Sequence, residues 1–284
     1  MRAHLGGSSR QSLMTARASL VAAVKDAKLD QVGASDLSGE LFFVAEVLNT
    51  NIAVRRALTD STRDAKSKAT FISELFGSKI GESALGITTE ISTMRWSAPK
   101  DLVLVLEALA IEAEASAANI AGELNRVEEE IFTASRAIAG SVQLRKALTS
   151  DAKLAKATLV NEILKGASGS TVKLVSQLVN SWRGRSVESA FADYAYALAA
   201  HRNRVIALVK IASPISVVQQ ERLTAALNNQ VGQPVRINIE IDPHVIGGVS
   251  VKFADELVDG TVSNRLAKAA RAVVKRCETV PSTN

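Results

Sequence analysis

Residues 40–59 and 130–149 are one passage written twice. ELFFVAEVLNTNIAVRRALT aligns without gaps on EIFTASRAIAGSVQLRKALT, with Glu40/Glu130, Phe42/Phe132, Arg55/Arg145, Ala57/Ala147, Leu58/Leu148 and Thr59/Thr149 identical. After a two-residue slip, Lys68–Phe76 matches Lys156–Leu164, again in the same order. Trp96 and Trp182 then take corresponding places, each ahead of a last apolar helix (Leu102–Leu109 and Phe191–Leu198). Chance resemblance between Ala-rich amphipathic helices does not keep a collinear order that includes both tryptophans. A repeat of this length implies one supersecondary module used twice.

The module is helical. Leu13, Ala16, Leu20, Ala23 and Val24 fall at three- and four-residue spacing, as do Leu41, Val44, Val47 and Leu48, and each set makes one apolar stripe. Ser61-Thr62-Arg63-Asp64 has the spacing of a capping box and predicts a helix that stops at Gly77. Pro99 suits the first turn of the next helix. Between Lys100 and Ala139 the only breaker is Gly122, so one long helix and two stacked helices both fit.

After His201-Arg202-Asn203-Arg204 the pattern changes. Val205–Val209 is short and β-branched, Ser216 is placed to cap a helix over 217–229, and Val235–Ile241 alternates strictly as a half-buried strand does. Val249, Val251 and Phe253 alternate with Ser250 and Lys252, Ala254-Asp255-Glu256 makes a polar turn, and Leu257-Val258 begins a return strand. Gly247-Gly248 marks a backbone bend or close approach. Thr261 caps a final helix from Val262 to about Arg276. The expectation is a mainly α chain: a duplicated N-terminal helical bundle followed by a small α+β domain. Its regions are 1–112 with the first copy, 113–203 with the second, and 204–284 with the sheet.

Chemistry is hard to find in this pattern. His4, His201 and His244 are too scattered for a metal site, and Cys277 is the only cysteine, which excludes an intramolecular disulfide and fits a reducing compartment. There is no GxSxG and no GxxxxGK[ST]. Asp255, Glu256 and Asp259 sit where turns and helix approaches favour acidic residues, so they do not point to catalysis. No cofactor and no small-molecule substrate is expected. A net charge of +5 is spread among interleaved acids and bases. Arg183-Gly184-Arg185 and the stripe Arg265, Lys268, Arg271, Lys275, Arg276 are the basic features most suggestive of a partner. Neither comes with aromatic stacking platforms, so nucleic acid is not expected. Met1–Gly7 lacks the apolar core of a signal peptide, and the most apolar run, Leu102–Ile111, is too short to span a bilayer.

Asp242-Pro243, Ile246-Gly247-Gly248-Val249, Val258-Asp259-Gly260-Thr261-Val262 and Arg265-Leu266 together closely resemble the C-terminal signature of the delta subunit of F-type ATP synthases, the family of the mitochondrial oligomycin-sensitivity-conferring protein. Ala212-Ser213-Pro214-Ile215 is similar to the family's Ala-x-Pro-Leu element, and residues from about 123 to 200 resemble its N-terminal helical bundle. There are departures: Ala254 stands where Gly is usual, Thr261 where Ser is common, and the first helix keeps Ala16 and Leu20 without the family's Tyr. The family's helical domain occurs once, whereas this chain carries an additional copy, as in long actinobacterial forms. The resemblance implies a non-catalytic stator subunit, at the cytoplasmic side of the cell membrane through its complex. Its partners would be the alpha subunits of the catalytic head and the b subunit of the peripheral stalk, with a b-related stalk protein as a further candidate. It also implies structural roles for Asp242, Gly247, Gly248, Asp259, Gly260, Thr261, Arg265 and Leu266. The additional copy would lengthen the clamp or add a stalk contact. A free helical adaptor and a weak basic nucleic-acid binder are the alternatives from other classes.

Overall fold

The computed structural model describes residues 5–150, 153–201, 205–231, 235–242, 248–253 and 256–259. The chain divides into two compact units, 1–201 and 202–284.

The first unit is built of helices. The first copy comprises α1 (Gly7–Asp26), α2 (Gln31–Thr50), α3 (Ile52–Thr59), α4 (Ala65–Phe76), α5 (Glu82–Thr93) and α6 (Pro99–Ile120). After it come α7 (Leu124–Gly140), α8 (Val142–Thr149), α9 (Lys153–Ile163), α10 (Gly169–Asn180) and α11 (Val187–Ala200). The repeated passage therefore falls on α2–α3 and again on α7–α8, and its continuation on α4 and α9. Gly122, at φ +74°, separates α6 from α7, so two helices occupy the stretch that one or two could have filled. Pro99 is at the start of α6 as its fixed φ favours. The helix before Gly77 begins at Ala65, three residues later than the Ser61 box predicts. Asp60 explains the shift: its carboxylate accepts from the Thr62 N–H (2.9 Å) and hydroxyl (2.7 Å), which holds 60–63 in a turn. Asp64 is the cap, accepting from the Ser67 N–H at 2.8 Å.

One helix belongs to both copies. At its start, α6 follows Trp96 as α11 follows Trp182, so it closes the first copy. At its end it terminates as α1 does. The Lys28 N–H donates to Lys25 O and the Leu29 N–H to Val24 O, with Lys28 at φ +48°. The Gly122 N–H donates to Asn119 O and the Glu123 N–H to Ala118 O, with Gly122 at φ +74°. Both are the same left-handed C-terminal cap, and each leads into the helix that carries the repeated passage. The point between residues 112 and 113 lies inside α6, which runs through it unbroken. A single apolar core results, in which Leu13, Leu41, Leu106, Leu109, Ile138 and Leu198 all take part.

The two copies also hold their fifth helices in the same way. Glu40 accepts from the Gly81 N–H (2.9 Å) at the start of α5. Glu130 accepts from the Ser168 N–H (3.0 Å), the Ser168 hydroxyl (2.9 Å) and the Thr171 hydroxyl (2.6 Å) at the start of α10. At the other ends, buried Lys68 donates to Ser92 O (2.9 Å) and buried Lys156 to Val179 O (3.4 Å). An acid at the N-terminus and a base at the C-terminus both oppose the helix dipole and satisfy otherwise unpaired backbone groups. These four residues are two identical pairs in the repeat.

In the second unit, β1 (Val205–Ile211), β2 (Val235–Ile241), β3 (Val249–Phe253) and β4 (Glu256–Asp259) form one sheet in the order β2-β1-β3-β4. The helix α12 (Val217–Val231) crosses from β1 to the parallel β2, while β1–β3 and β3–β4 are antiparallel. Ser216 and Gln219 cap α12 reciprocally: the Gln219 N–H donates to the Ser216 hydroxyl (3.3 Å) and the Ser216 N–H to Gln219 Oε1 (2.8 Å). Val209, Ile211 and Val251 meet Leu227 of α12 in the core. The alternate residue Lys210 lies 3.9 Å from Glu240 and 3.8 Å from Asp242. The chain is thus mainly α with a small C-terminal α+β unit.

Candidate functional site: the central helix and the face left open

Most of α6 is buried, yet it carries Asp101, Glu107, Glu112 and Glu114 among its buried residues. Burying a carboxylate is costly unless it is paired and hydrogen-bonded. Each of these four reaches a different set of partners. Asp101 accepts from Ser9 of α1 at 2.6 Å. Glu112 meets Arg17 of α1 at 2.6 Å, and the same guanidinium lies 5.8 Å from the Tyr196 ring centroid. Burial outweighs Arg17 and pushes the Glu112 carboxyl up to about 7. Glu114 accepts from Ser35 of α2 (3.0 Å), Ser170 of α10 (2.6 Å) and Lys173 of α10 (2.8 Å). Lys173 also donates to the Ser35 carbonyl, so α2 is fastened to α10 across α6.

Glu107 is the most enclosed, with its side chain 1% exposed. Arg183 and Arg185 each approach it to 2.8 Å, with side chains 7% and 11% exposed, and the Tyr194 hydroxyl donates to it at 3.2 Å. The Arg185 contact is a directed hydrogen bond, whereas Arg183 Nη1 and Glu107 Oε2 are close without hydrogen-bond alignment and interact as charges. Burial alone would lower the Arg185 pKa, but Glu107, together with Tyr194 and Asp193, outweighs it and raises it. Arg185 also bonds Asp193 at 3.1 Å, and Arg183 lies 3.5 Å from Glu46 of α2. Arg183 and Gly184 both have positive φ, at 52° and 72°. A non-glycine residue held in that region costs about 1–2 kcal/mol, which the contacts to Glu107 and Glu46 offset. The two arginine side chains of the Arg-Gly-Arg motif that suggested a partner therefore turn into the helical unit, while Gly184 between them is exposed. The motif's acidic counterpart is more than seventy residues away in sequence, and only the acids breaking the apolar run of α6 hinted at it.

The residues of the C-terminal signature are partly described. The Asp242 N–H donates to Ile211 O at 2.9 Å, next to the Lys210 contact. Gly248, at φ +81°, enters β3 in a conformation that strongly favours glycine. Asp259 ends β4 opposite Ser250. Gly247, Gly260, Thr261, Arg265 and Leu266 lie outside the described residues, as does the basic stripe from Arg265 to Arg276.

A different surface distinguishes the two copies. On α1, Met14 is 57% and Val21 60% exposed, with Ala18 exposed between them. Superposing the matched helix ends, Lys28 on Gly122, brings Met14, Ala18 and Val21 onto Ala108, Glu112 and Ala115 of α6, all three buried. The first helix of the first copy is open where that of the second is covered. Among the described residues, no group of His, Cys, Asp and Glu is arranged to hold a metal ion, and no single helix is long and apolar enough to cross a membrane.

A family model described as ATP synthase delta (OSCP) subunit matches residues 112–273, beginning inside α6 and running through both units. The chain belongs to this family. Proteins named ATP synthase subunit delta match it nearly end to end. That of Streptomyces avermitilis is 38% identical over 95% of this chain and 98% of its own length. That of Kineococcus radiotolerans is 37% identical over 90% and 95%. That of Parafrankia sp. is 37% identical over 95% and 99%. With such coverage, the first helical copy lies within the part shared with these relatives, although the family model itself matches only the second.

Proposed function

We propose that this chain is a non-catalytic stator subunit of a proton-translocating F-type ATP synthase. In this reading it links the alpha subunits of the catalytic head to the b subunit of the peripheral stalk. The observation that carries the reading is the family match, which runs from the second helical copy into the sheet unit. A protein that joins two bodies needs two separately folded surfaces and no reacting group. The helical unit would take the head, with amphipathic segments of alpha lying against its helices as helix-in-groove recognition allows. The signature residues around Asp242, Gly248 and Asp259 shape the unit that would take b. The chain would reach the cytoplasmic face of the membrane through the complex, and it would need no cofactor of its own.

Affinity capture of the tagged chain from detergent-solubilised membranes tests the proposal. Recovery of alpha, beta and b subunits is the expected result. Recovery of none of them would overturn it and favour a free helical adaptor.

A further inference from the structure

Within the repeated passage some positions are exposed in both copies, and there the two copies have been free to part. Phe43 has Thr133 as its counterpart, Thr50 has Gly140 and Ala53 has Gln143, so size or polarity has changed at each. Ile52/Val142 and Arg56/Lys146 have kept their kind. Ile52 is 54% and Val142 67% exposed, and each opens a short helix, α3 or α8, one turn before the exposed base on the same face. The helix dipole is reason enough for a base in a last turn. It gives none for an apolar side chain standing in water a turn earlier. One such residue would need no explanation. Two at equivalent places, in copies that have drifted apart around them, do: neither lies in the core, so a contact outside the chain is what keeps them. In the first copy α3 leaves α2 at 105°, which sets Ile52 on a corner of the chain.

We infer that Ile52 with Arg56, and Val142 with Lys146, are two equivalent docking stations, and that their occupant is a pair of long helices whose shared apolar seam is flanked by carboxylates. A projecting apolar side chain needs a recess, and the seam between two helices offers recesses at regular intervals. Acidic residues beside such a seam answer the bases. A short terminal segment fills one station, whereas a rod with a repeating seam can fill two, which is what a duplicated station calls for. Within the stator reading that rod is the stalk formed by b, whose helices then meet the helical unit as well as the sheet unit. The occupant's identity as b rests on that reading; the two stations and their chemistry do not. On this account the additional copy adds a stalk contact. None of the four side chains belongs to the carboxylate network of α6, so each can be replaced without disturbing it.

The test is photo-crosslinking within the assembled synthase, with benzoylphenylalanine in place of Ala53 or of Gln143, the exposed neighbours of Ile52 and Val142. Adducts to b from both positions are the expected result. Adducts to alpha, an adduct to b from one position alone, or none from either overturns the inference while leaving the stator reading intact. Alongside, the full chain is titrated with the soluble part of b. I52E/R56E and V142E/K146E should each weaken binding about threefold and the combined variant about tenfold, at unchanged helicity by circular dichroism. Lys100→Glu, which reverses an exposed base at the start of α6, should bind as wild type does. A combined variant that binds b as wild type does overturns the inference. Failure of wild type to bind b, together with absence of b from its assembled complex, overturns both.

Discussion

Glu107→Gln tests whether the buried charges hold the helical unit together. The substitution keeps the shape of the side chain and an oxygen for the Tyr194 hydroxyl, and removes only the charge. Two guanidiniums then stay enclosed without the carboxylate that they share. Arg185 keeps Asp193 at 3.1 Å, and Arg183 keeps only Glu46 at 3.5 Å, whose side chain is 47% exposed. Removing one partner from a buried ion pair costs about 3–5 kcal/mol, a large part of the roughly 5–15 kcal/mol that stabilises a typical domain. Glu188→Gln supplies the comparison. Its pair with Arg145 spans 3.6 Å with side chains 58% and 40% exposed, and such pairs contribute about 0–1 kcal/mol. Urea unfolding followed by tryptophan fluorescence measures both, since Trp96 and Trp182 lie in the helical unit and Trp182 precedes Arg183. The expected result is a clear fall in the unfolding midpoint for Glu107→Gln and almost none for Glu188→Gln. A loss below about 1 kcal/mol for both variants would refute the assignment of Glu107 as the anchor of the 181–186 segment.

Three further outcomes follow from the geometry. Because the Glu112 carboxyl is raised to about 7 from 4.5, its favourable contribution is complete below about 4.5 and lost as pH rises through 7; the span is roughly 3 kcal/mol, and Glu112→Gln should remove that part of the pH dependence of urea unfolding between pH 5 and 8. Identical pH profiles for the two proteins would contradict this. Glu130→Ala deprives the start of α10 of three hydrogen bonds and should cost about 1–2 kcal/mol, with faster amide exchange confined to Ser168 and its neighbours; Glu40→Ala, which frees only the Gly81 N–H, should cost less. Gly248→Ala forces a side chain into a left-handed conformation at φ +81° and should destabilise the sheet unit by about 1–2 kcal/mol, visible as a lowered melting temperature of the protein.

The duplication was legible because the repeated side chains still do repeated work. Glu40 and Glu130 each cap a fifth helix, and Lys68 and Lys156 each cover its far end, so selection for the same contact kept the same residues in register. The strands were legible from alternation, since Val209, Ile211 and Val251 must face Leu227 while Lys210 faces its acids. The sharing of α6 was not. A helix that closes one bundle and opens the next must satisfy two packing environments, so its sequence resembles neither α1 nor α11 closely. Its link to α1 survives only in backbone geometry, where Lys28 and Gly122 adopt one conformation with different side chains. The carboxylates of α6 were equally hidden, because a Glu in an apolar run declares a need for a partner without saying where that partner is. For the same reason Arg183 and Arg185 suggest a partner in sequence when their acids lie within the chain.

The continuous helix also changes what a deletion can mean. Removing residues 35–112 would take most of α6 with the first copy and leave the second without its opening helix, so loss of assembly after such a cut says nothing about the first copy's contacts. In mechanical terms, two modules joined by a loop can bend at the joint, and any load passed between them is partly spent in that bending. Here the joint is replaced by 22 residues of helix, a strut of roughly 33 Å, cross-braced by four buried carboxylates. The doubled unit has no elbow, and it strains under load as one beam.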